Sequence, residues 1–237
     1  MEKSVEAIYA AILGDFMTKG LAIAQFQSNP DYFVQGAAVR GTAFSVATPD
    51  FHECSKGAKL LNRYVAERRA LDAILPQDAV TWMNPSDLHI SIYFTKKPLA
   101  IGDGARCMDA HTLDAIRRIC ANVGPVSLTL DRLLIDRNGS IMLAGFSGEL
   151  ERLRERLDAA LGGMFPQGWR PSIINCTLAR ITCELQDQVQ ERTRLYLAKN
   201  SRLESIQLQM SSLRYARSVG TIYQLTLQDL ARLPLAV

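Results

Sequence analysis

The feature that most constrains the fold of this chain is a short segment that occurs twice. The first copy reads PSDLHISI at 85–92, and the second reads PSIINCTL at 171–178. Proline and serine are identical, and the aliphatic and hydroxyl positions match in type. The one polar position that differs is His89 in the first copy and Asn175 in the second. An internal repeat predicts related structural units, so we expect two lobes related by a pseudo-twofold axis.

Each copy has the pattern of a turn followed by a β-strand. Pro-Ser favours the turn, and the residues after it alternate between apolar and polar types. Strand alternation predicts that His89, Ser91 and Tyr93 share one face, and that Asn175 and Thr177 share a face of the second strand. The aliphatic residues between them are predicted to be buried. Pairing the two lobes would bring both polar faces to one cleft.

The rest of the chain predicts alternating helices and antiparallel strands. Apolar residues at helical spacing predict an N-terminal helix ending at Lys19-Gly20 and further helices at 56–74, 109–123, 149–161 and 187–199. The pair Asn138-Gly139 predicts a hairpin between strands 126–135 and 140–146. A closing hairpin is predicted with its turn at 218–220, and 25–32 is predicted to be a loop.

These elements predict an α+β fold of two duplicated antiparallel sheets with outer helices and a central cleft. No linker rich in proline, glycine or serine divides the chain, so we expect residues 1–237 to form one bilobal domain. Residues 1–20 would be a helical extension at its N-terminus.

Composition excludes several classes of protein. Of the 237 residues 48% are hydrophobic and 22% charged, which is typical of a globular protein. The net charge of +3 is too small for a general duplex-binding protein. No apolar run approaches the roughly 20 residues of a membrane helix. The five cysteines form no CxxC pair, which predicts reduced thiols in the cytoplasm, with an organelle-targeting segment left open. We expect a monomer.

The repeat also resembles a known family. His89-x-Ser91-Ile92 resembles the signature of the 2H phosphoesterase superfamily, which is histidine, any residue, serine or threonine, and a hydrophobic residue. This superfamily includes RNA 2′,3′-cyclic phosphodiesterases and 2′-5′ RNA ligases. The second copy, NCTLAR at 175–180, resembles the family's second motif with Asn175 in place of histidine. The order of elements from about 37 to 227 is also similar.

The resemblance implies a metal-independent phosphodiesterase without a cofactor. In such enzymes two histidines share proton transfer and two hydroxyl groups hold the phosphate, roles suited to imidazole near neutral pH. It implies that His89 is a catalytic acid or base, that Asn175 occupies the second catalytic position, and that Ser91 and Thr177 bind phosphate. Tyr93 is a candidate for stacking on a base. The partner would be a small phosphodiester, a nucleotide or an RNA end with a 2′,3′-cyclic or 2′-5′ linkage.

Asn175 departs from this pattern, because a carboxamide cannot exchange a proton at neutral pH. Three accounts stay open: a natural pseudoenzyme that binds a nucleotide or RNA end, an enzyme that uses His89 alone, and a histidine replaced deliberately to trap a ligand. The alternative function is therefore a non-catalytic nucleotide- or RNA-binding protein on the same fold.

Two expectations concern arginines. Arg180 matches the end of the family's second motif, but strict alternation points it away from Thr177, so a salt bridge is the expected role. Arg152, Arg154 and Arg156 alternate with glutamates on one helix and are expected to form a solvated face.

Overall fold

The computed structural model describes residues 4–94, 110–161 and 173–236. Pro171 and Ser172, which open the second motif copy, lie outside the described residues. The helices of the described ranges are α1 (Val5–Lys19), α2 (Ile23–Gln27), α3 (Gly57–Asp72), α4 (Ala110–Ala121), α5 (Gly148–Leu161) and α6 (Asp187–Asn200). None of these helices has both the length and the apolar character needed to cross a bilayer.

The described strands form three antiparallel sheets. They are β1 (Phe33–Val34), β2 (Ala37–Ala38), β3 (Gly41–Ala47), β4 (Val80–Trp82), β5 (Ser91–Phe94), β6 (Val126–Ile135), β7 (Ser140–Phe146), β8 (Ile174–Ile181), β9 (Arg202–Met210), β10 (Ser212–Gly220) and β11 (Leu225–Pro234). One sheet has the order β11-β10-β3-β5 and another the order β4-β8-β7-β6-β9, while β1 and β2 form a small hairpin.

The two motif copies lie in different sheets, the first on β5 and the second on β8. This arrangement confirms the predicted α+β fold with duplicated antiparallel sheets. The Asn138-Gly139 hairpin is also confirmed, since β6 and β7 pair across it and Gly139 adopts φ +82°. That left-handed conformation favours glycine, and an added Cβ would lie 2.7 Å from the Ile181 carbonyl oxygen.

Both faces of the β6–β7 hairpin are covered. Leu133 and Ile141 point into the main core, which includes apolar residues of both large sheets and of α3 to α6. Leu134 and Met142 point the other way and pack with Tyr9 of α1 in a second, smaller cluster. The N-terminal helix therefore lies on the sheet face opposite the main core, where each buried apolar side chain contributes roughly 1.5–3 kcal/mol.

The predicted turn at 218–220 is wrong. The chain instead turns at 221–224, because β10 continues to Gly220 with β3 on one side and β11 on the other. The segment 202–220 also contains two strands, since β9 pairs with β6 in the other large sheet. A local apolar pattern does not reveal a change of sheet at Ser211. Residues 25–32, predicted as a loop, begin within the short helix α2.

Arg154 of α5 joins the two motif strands at their backbones. Its Nε donates to the Ile92 carbonyl at 2.9 Å, and its Nη2 donates to the carbonyls of Ser91 at 3.4 Å and Ile173 at 3.2 Å. The side chain is fully buried, and Glu151 pairs with it at 2.5 Å. The predicted solvated face is therefore wrong for Arg154, because these carbonyls need a donor that the splayed strands do not supply.

We predict that Arg154→Met lowers the free energy of unfolding by about 2–4 kcal/mol, because it leaves buried carbonyls without a donor. Chemical denaturation of the purified variant measures this change. Arg152→Met, on the exposed side of the same helix, is the matched control and should stay within about 0.5 kcal/mol. Equal effects of the two substitutions would contradict the structural role of Arg154.

Candidate functional site

The two motif copies meet at a single antiparallel bridge between Ile90 and Cys176. Both side chains are fully buried and belong to the main core. In an antiparallel pair, opposed residues point to the same face, and their chain neighbours point to the other face. The bridge therefore determines which side chains of both motifs emerge together.

Four polar side chains flank this bridge on the face opposite the core. They are His89 and Ser91 on the first motif strand, and Asn175 and Thr177 on β8. The register places His89 across from Thr177 and Ser91 across from Asn175. All four are half-buried. The structure thus brings together an imidazole, a carboxamide and two hydroxyl groups, as the repeat predicts.

Hydrogen bonds within this group are few. Asn175 Nδ2 lies 3.5 Å from Thr177 Oγ1, the long limit for such a contact. Among the described residues the amide and the hydroxyl group have no other side-chain hydrogen bond, so most of their capacity is left for a ligand.

His89 is held in one tautomer by the turn that precedes it. Its Nδ1 lies 2.9 Å from the Asp87 carbonyl oxygen, which can only accept, so Nδ1 carries the proton and Nε2 keeps its lone pair. The Asp87 carboxylate accepts from the Leu227 backbone N–H at 2.9 Å and from Asn84 Nδ2 at 3.2 Å. These bonds fix the 3₁₀ turn at Pro85–Asp87 and therefore the ring of His89.

The surroundings lower the pKa of His89. Burial is the largest cause and outweighs the hydrogen bond to the Asp87 carbonyl, which raises the pKa. The positive charge of Arg214 lowers the pKa further, and the Asp87 carboxylate raises it by less. His89 is therefore neutral at pH 7 and can accept a proton. Arg214 lies on β10 and donates to Asp229 Oδ1 at 3.1 Å, while its Nε and Nη2 are buried and have no hydrogen-bond partner among the described residues.

Burial excludes one alternative nucleophile beside these groups. It raises the pKa of the Cys176 thiol to about 12, so this cysteine is not a thiolate at neutral pH. Within the described ranges no three side chains of histidine, cysteine, aspartate or glutamate come together as a metal site.

A β-bulge follows the hydroxyl residue of the first motif. On β3 the adjacent residues Ala47 and Val46 pair with Ser91 and Tyr93 of β5. Ile92, which lies between Ser91 and Tyr93, is therefore an inserted residue without a partner on β3. Such an insertion shifts the alternation of the strand by one residue. Ile92 and Tyr93 both point into the core as a result.

The second motif carries the same bulge at the same place. Met142 pairs with Thr177, but Ile141 pairs with Ala179, so Leu178 is inserted. The pattern of burial is identical in the two copies: the hydroxyl residue is half-buried, the next two residues are buried, and the fourth is half-buried again. The repeat therefore extends to backbone geometry.

The bulge removes Tyr93 from the polar face. Tyr93 is 3% exposed. Burial and then the charge and hydrogen bond of Asp158 raise the pKa of its hydroxyl to about 12. The alternation that placed Tyr93 beside His89 is broken at Ile92, so the structure does not bring Tyr93 into the group.

The bulges bring two other side chains to this face. Phe94 of β5 pairs with Ser45 and Arg180 of β8 pairs with Ser140, both on the face opposite the core, and both side chains are half-buried. Sequence reasoning missed Phe94 and aimed Arg180 away. The signal was present in the two successive apolar residues after each hydroxyl, Ile92-Tyr93 and Leu178-Ala179, where strict alternation requires one.

Arg180 does not form the expected salt bridge. Its Nη1 donates to Ser140 Oγ at 2.9 Å, and its guanidinium lies 5.7 Å from the ring centre of Phe26. Among the described residues no carboxylate lies within ion-pair distance of it, and burial lowers its pKa. Arg180 is thus a partly buried cation with donors left for an anion.

Comparison with known proteins supports this architecture at the level of the fold. No family model and no curated protein sequence matches the chain. Solved structures do match. The protein TT0787 of Thermus thermophilus has a TM-score of 0.54 at 16% identity, covering 83% of this chain and 98% of that one. Escherichia coli LigT complexed with 3′-AMP has a TM-score of 0.54 at 16% identity, covering 84% and 99%.

A further structure, described as a phosphoesterase, has a TM-score of 0.53 at 13% identity and covers 84% of this chain and 99% of that one. At these identities the likeness establishes the fold. The predicted 2H phosphoesterase-like fold is confirmed.

We predict that the His89 ring titrates with a midpoint below 6.5, because burial and Arg214 disfavour the imidazolium. Arg214→Met removes the nearby positive charge and should raise this midpoint. NMR titration of the His89 ring signals, assigned with His89→Gln, measures both values.

The matched control is Arg217→Met. Arg217 lies on the same strand, points to the other face and bonds Gln228. Its loss should leave the His89 midpoint unchanged. A wild-type midpoint at or above 6.5, or one insensitive to Arg214→Met, would contradict the electrostatic description of this site.

Proposed function

We propose that this chain, which has the 2H phosphoesterase-like fold, acts on nucleotide or RNA phosphodiesters without a metal ion, with a 2′,3′-cyclic or 2′-5′ linkage as its substrate. The observation that carries the proposal is the bridge between Ile90 and Cys176. It supports the proposal because it gathers one imidazole and two hydroxyl groups on one face. This set matches the needs of phosphodiester chemistry, which are a proton acceptor and donors to the phosphate oxygens.

In this proposal His89 is the general base. Its free Nε2 takes the proton of the attacking water or hydroxyl group while Nδ1 stays bonded to the Asp87 carbonyl. The lowered pKa supports this role, because a neutral imidazole is present at pH 7. Ser91 and Thr177 donate to the non-bridging phosphate oxygens and stabilise the charge that grows on them.

Asn175 limits the rate of hydrolysis that this site can reach. Its amide can donate a hydrogen bond to the phosphate or the leaving oxygen but cannot transfer a proton to it. The leaving oxygen must then take its proton from water, which typically lowers the rate by about 10²–10⁴-fold. We therefore expect a chain that binds phosphodiesters well and hydrolyses them slowly.

Phe94 and Arg180 extend the site at its two ends. Phe94 offers an aromatic face for a base, and Arg180 offers a guanidinium for a phosphate. The LigT structures complexed with 3′-AMP, NADP+ and ATP support a nucleotide as the ligand class.

The second candidate function is a nucleotide- or RNA-binding protein without turnover. The observation that favours it is Asn175 itself, which leaves a single proton-transfer group in the site. The two candidates differ in a measurable quantity, since only the first predicts slow hydrolysis that depends on His89.

We predict that Asn175→His raises the rate of 2′,3′-cyclic nucleotide hydrolysis by about 10²–10⁴-fold, because it supplies the missing general acid. Adding His89→Ala to this variant should abolish the gain. Steady-state kinetics on 2′,3′-cyclic nucleotides and short 2′-5′ oligonucleotides measure both effects.

Asn122→His is the matched control, because Asn122 is exposed at the end of α4, away from the motif strands. It should leave the rate unchanged. If Asn175→His binds nucleotides but hydrolyses none of these substrates, the catalytic proposal is wrong and the binding function stands.

A further inference from the structure

Residues 22–32, called the N-terminal segment below, line a cavity that also includes Arg180. The cavity has a volume of about 530 Å³, within the range of roughly 300–1,000 Å³ for ligand pockets. The N-terminal segment supplies Ala22, Gln25, Phe26, Asn29 and Tyr32. The opposite wall is formed by the β6–β7 turn and the neighbouring residues of β7 and β8.

The wall of this cavity is firmly attached to both large sheets. Gln27 Nε2 donates to the Thr182 carbonyl at 2.8 Å, just after β8, and to the Tyr223 hydroxyl at 2.9 Å, in the β10–β11 turn. The Ala22 backbone N–H donates to the Arg137 carbonyl at 2.7 Å. The segment therefore spans from one sheet to the other and needs no rearrangement to form the cavity.

The lining has the chemistry of a nucleotide site. Two guanidinium groups, of Arg137 and Arg180, face it together with the half-buried rings of Phe26 and Tyr32. Among the described residues, Arg137 Nε is buried and has no hydrogen-bond partner, and neither arginine has an ion-pair partner. The acidic residue of the lining, Asp136, accepts the Ser140 backbone N–H at 2.8 Å within the turn, and its charge also acts on Arg180.

The cavity lies close to the motif residues on the same face of β8. Arg180 lies three residues beyond Thr177 on the same face of β8, roughly 10 Å along a strand. A ligand that reaches both must be longer than one phosphate. Aromatic rings and two guanidinium groups without an ion-pair partner among the described residues together suit a base and its phosphate.

We infer that this cavity is a second nucleotide subsite, so that the ligand is an oligonucleotide end of at least two nucleotides. One nucleotide lies at the motif residues, and its neighbour places a base against Tyr32 and Phe26 and a phosphate at Arg137 and Arg180. This inference rests on the proposed function, because it extends the same site.

Calorimetric titration of the full chain with 3′-AMP and with the dinucleotide ApAp, which ends in a 3′-phosphate, tests the inference. ApAp should bind about 10-fold or more tightly than 3′-AMP, the gain expected from one stacked base. Arg137→Gln and Tyr32→Leu should each lower ApAp affinity by about 10-fold and change 3′-AMP affinity by less than about 2-fold. Arg137→Gln should also reduce the slope of log affinity against log salt for ApAp by about 0.7.

Arg152→Gln is the matched control, because Arg152 is 69% exposed on α5 and lies outside the cavity lining. It should leave both affinities unchanged. If 3′-AMP binds but ApAp binds no more tightly, and the two cavity variants behave as the control does, the subsite is overturned and the nucleotide site at the motifs stands. If neither ligand binds the wild-type chain, the proposed function and the subsite both fall.

Discussion

The antiparallel bridge between Ile90 and Cys176 is the contact on which the candidate site depends. It sets the register between two strands that belong to different sheets. A slip of one residue would exchange the buried and the polar faces, because side chains alternate along a strand. Two contacts stabilise this register. The side chains of Ile90 and Cys176 are fully buried in the core, and Arg154 donates hydrogen bonds to carbonyls of both motif copies.

The two β-bulges determine which further side chains reach the polar face. A β-bulge re-aims the residues that follow it, and here the same insertion occurs in both motif strands. Each strand thereby contributes two adjacent core residues and then one more side chain to the polar face. The two strands contribute different chemistry at this last position, Phe94 in one and Arg180 in the other, so the duplicated motif forms an asymmetric site.

The electrostatics of this face favour anions more than they favour proton transfer. Burial and the positive charge of Arg214 favour the neutral form of His89. In the described part of the chain no carboxylate lies within ion-pair distance of Arg180, although the charge of Asp136 acts on it. Hydroxyl and amide groups complete a surface rich in hydrogen-bond donors. With Asn175 in the second position, only His89 of the four can exchange a proton near neutral pH. Asn175 can therefore contribute to the binding of a ligand but not to proton transfer.

The sequence by itself determined the repeat, the antiparallel α+β class and the partnership of His89, Ser91, Asn175 and Thr177, because these follow from local periodicity and from a motif that occurs twice. Tertiary structure decided the rest. The bulges that bury Tyr93 and turn Arg180 to the polar face arise from pairing with β3 and β7, which no local pattern encodes. The burial of Arg154, the sheet change at Ser211 and the cavity beside Phe26 likewise depend on residues distant in sequence. The alternation of side chains depends on one strand alone, whereas bulges, pKa shifts and cavities depend on the residues that pack against that strand.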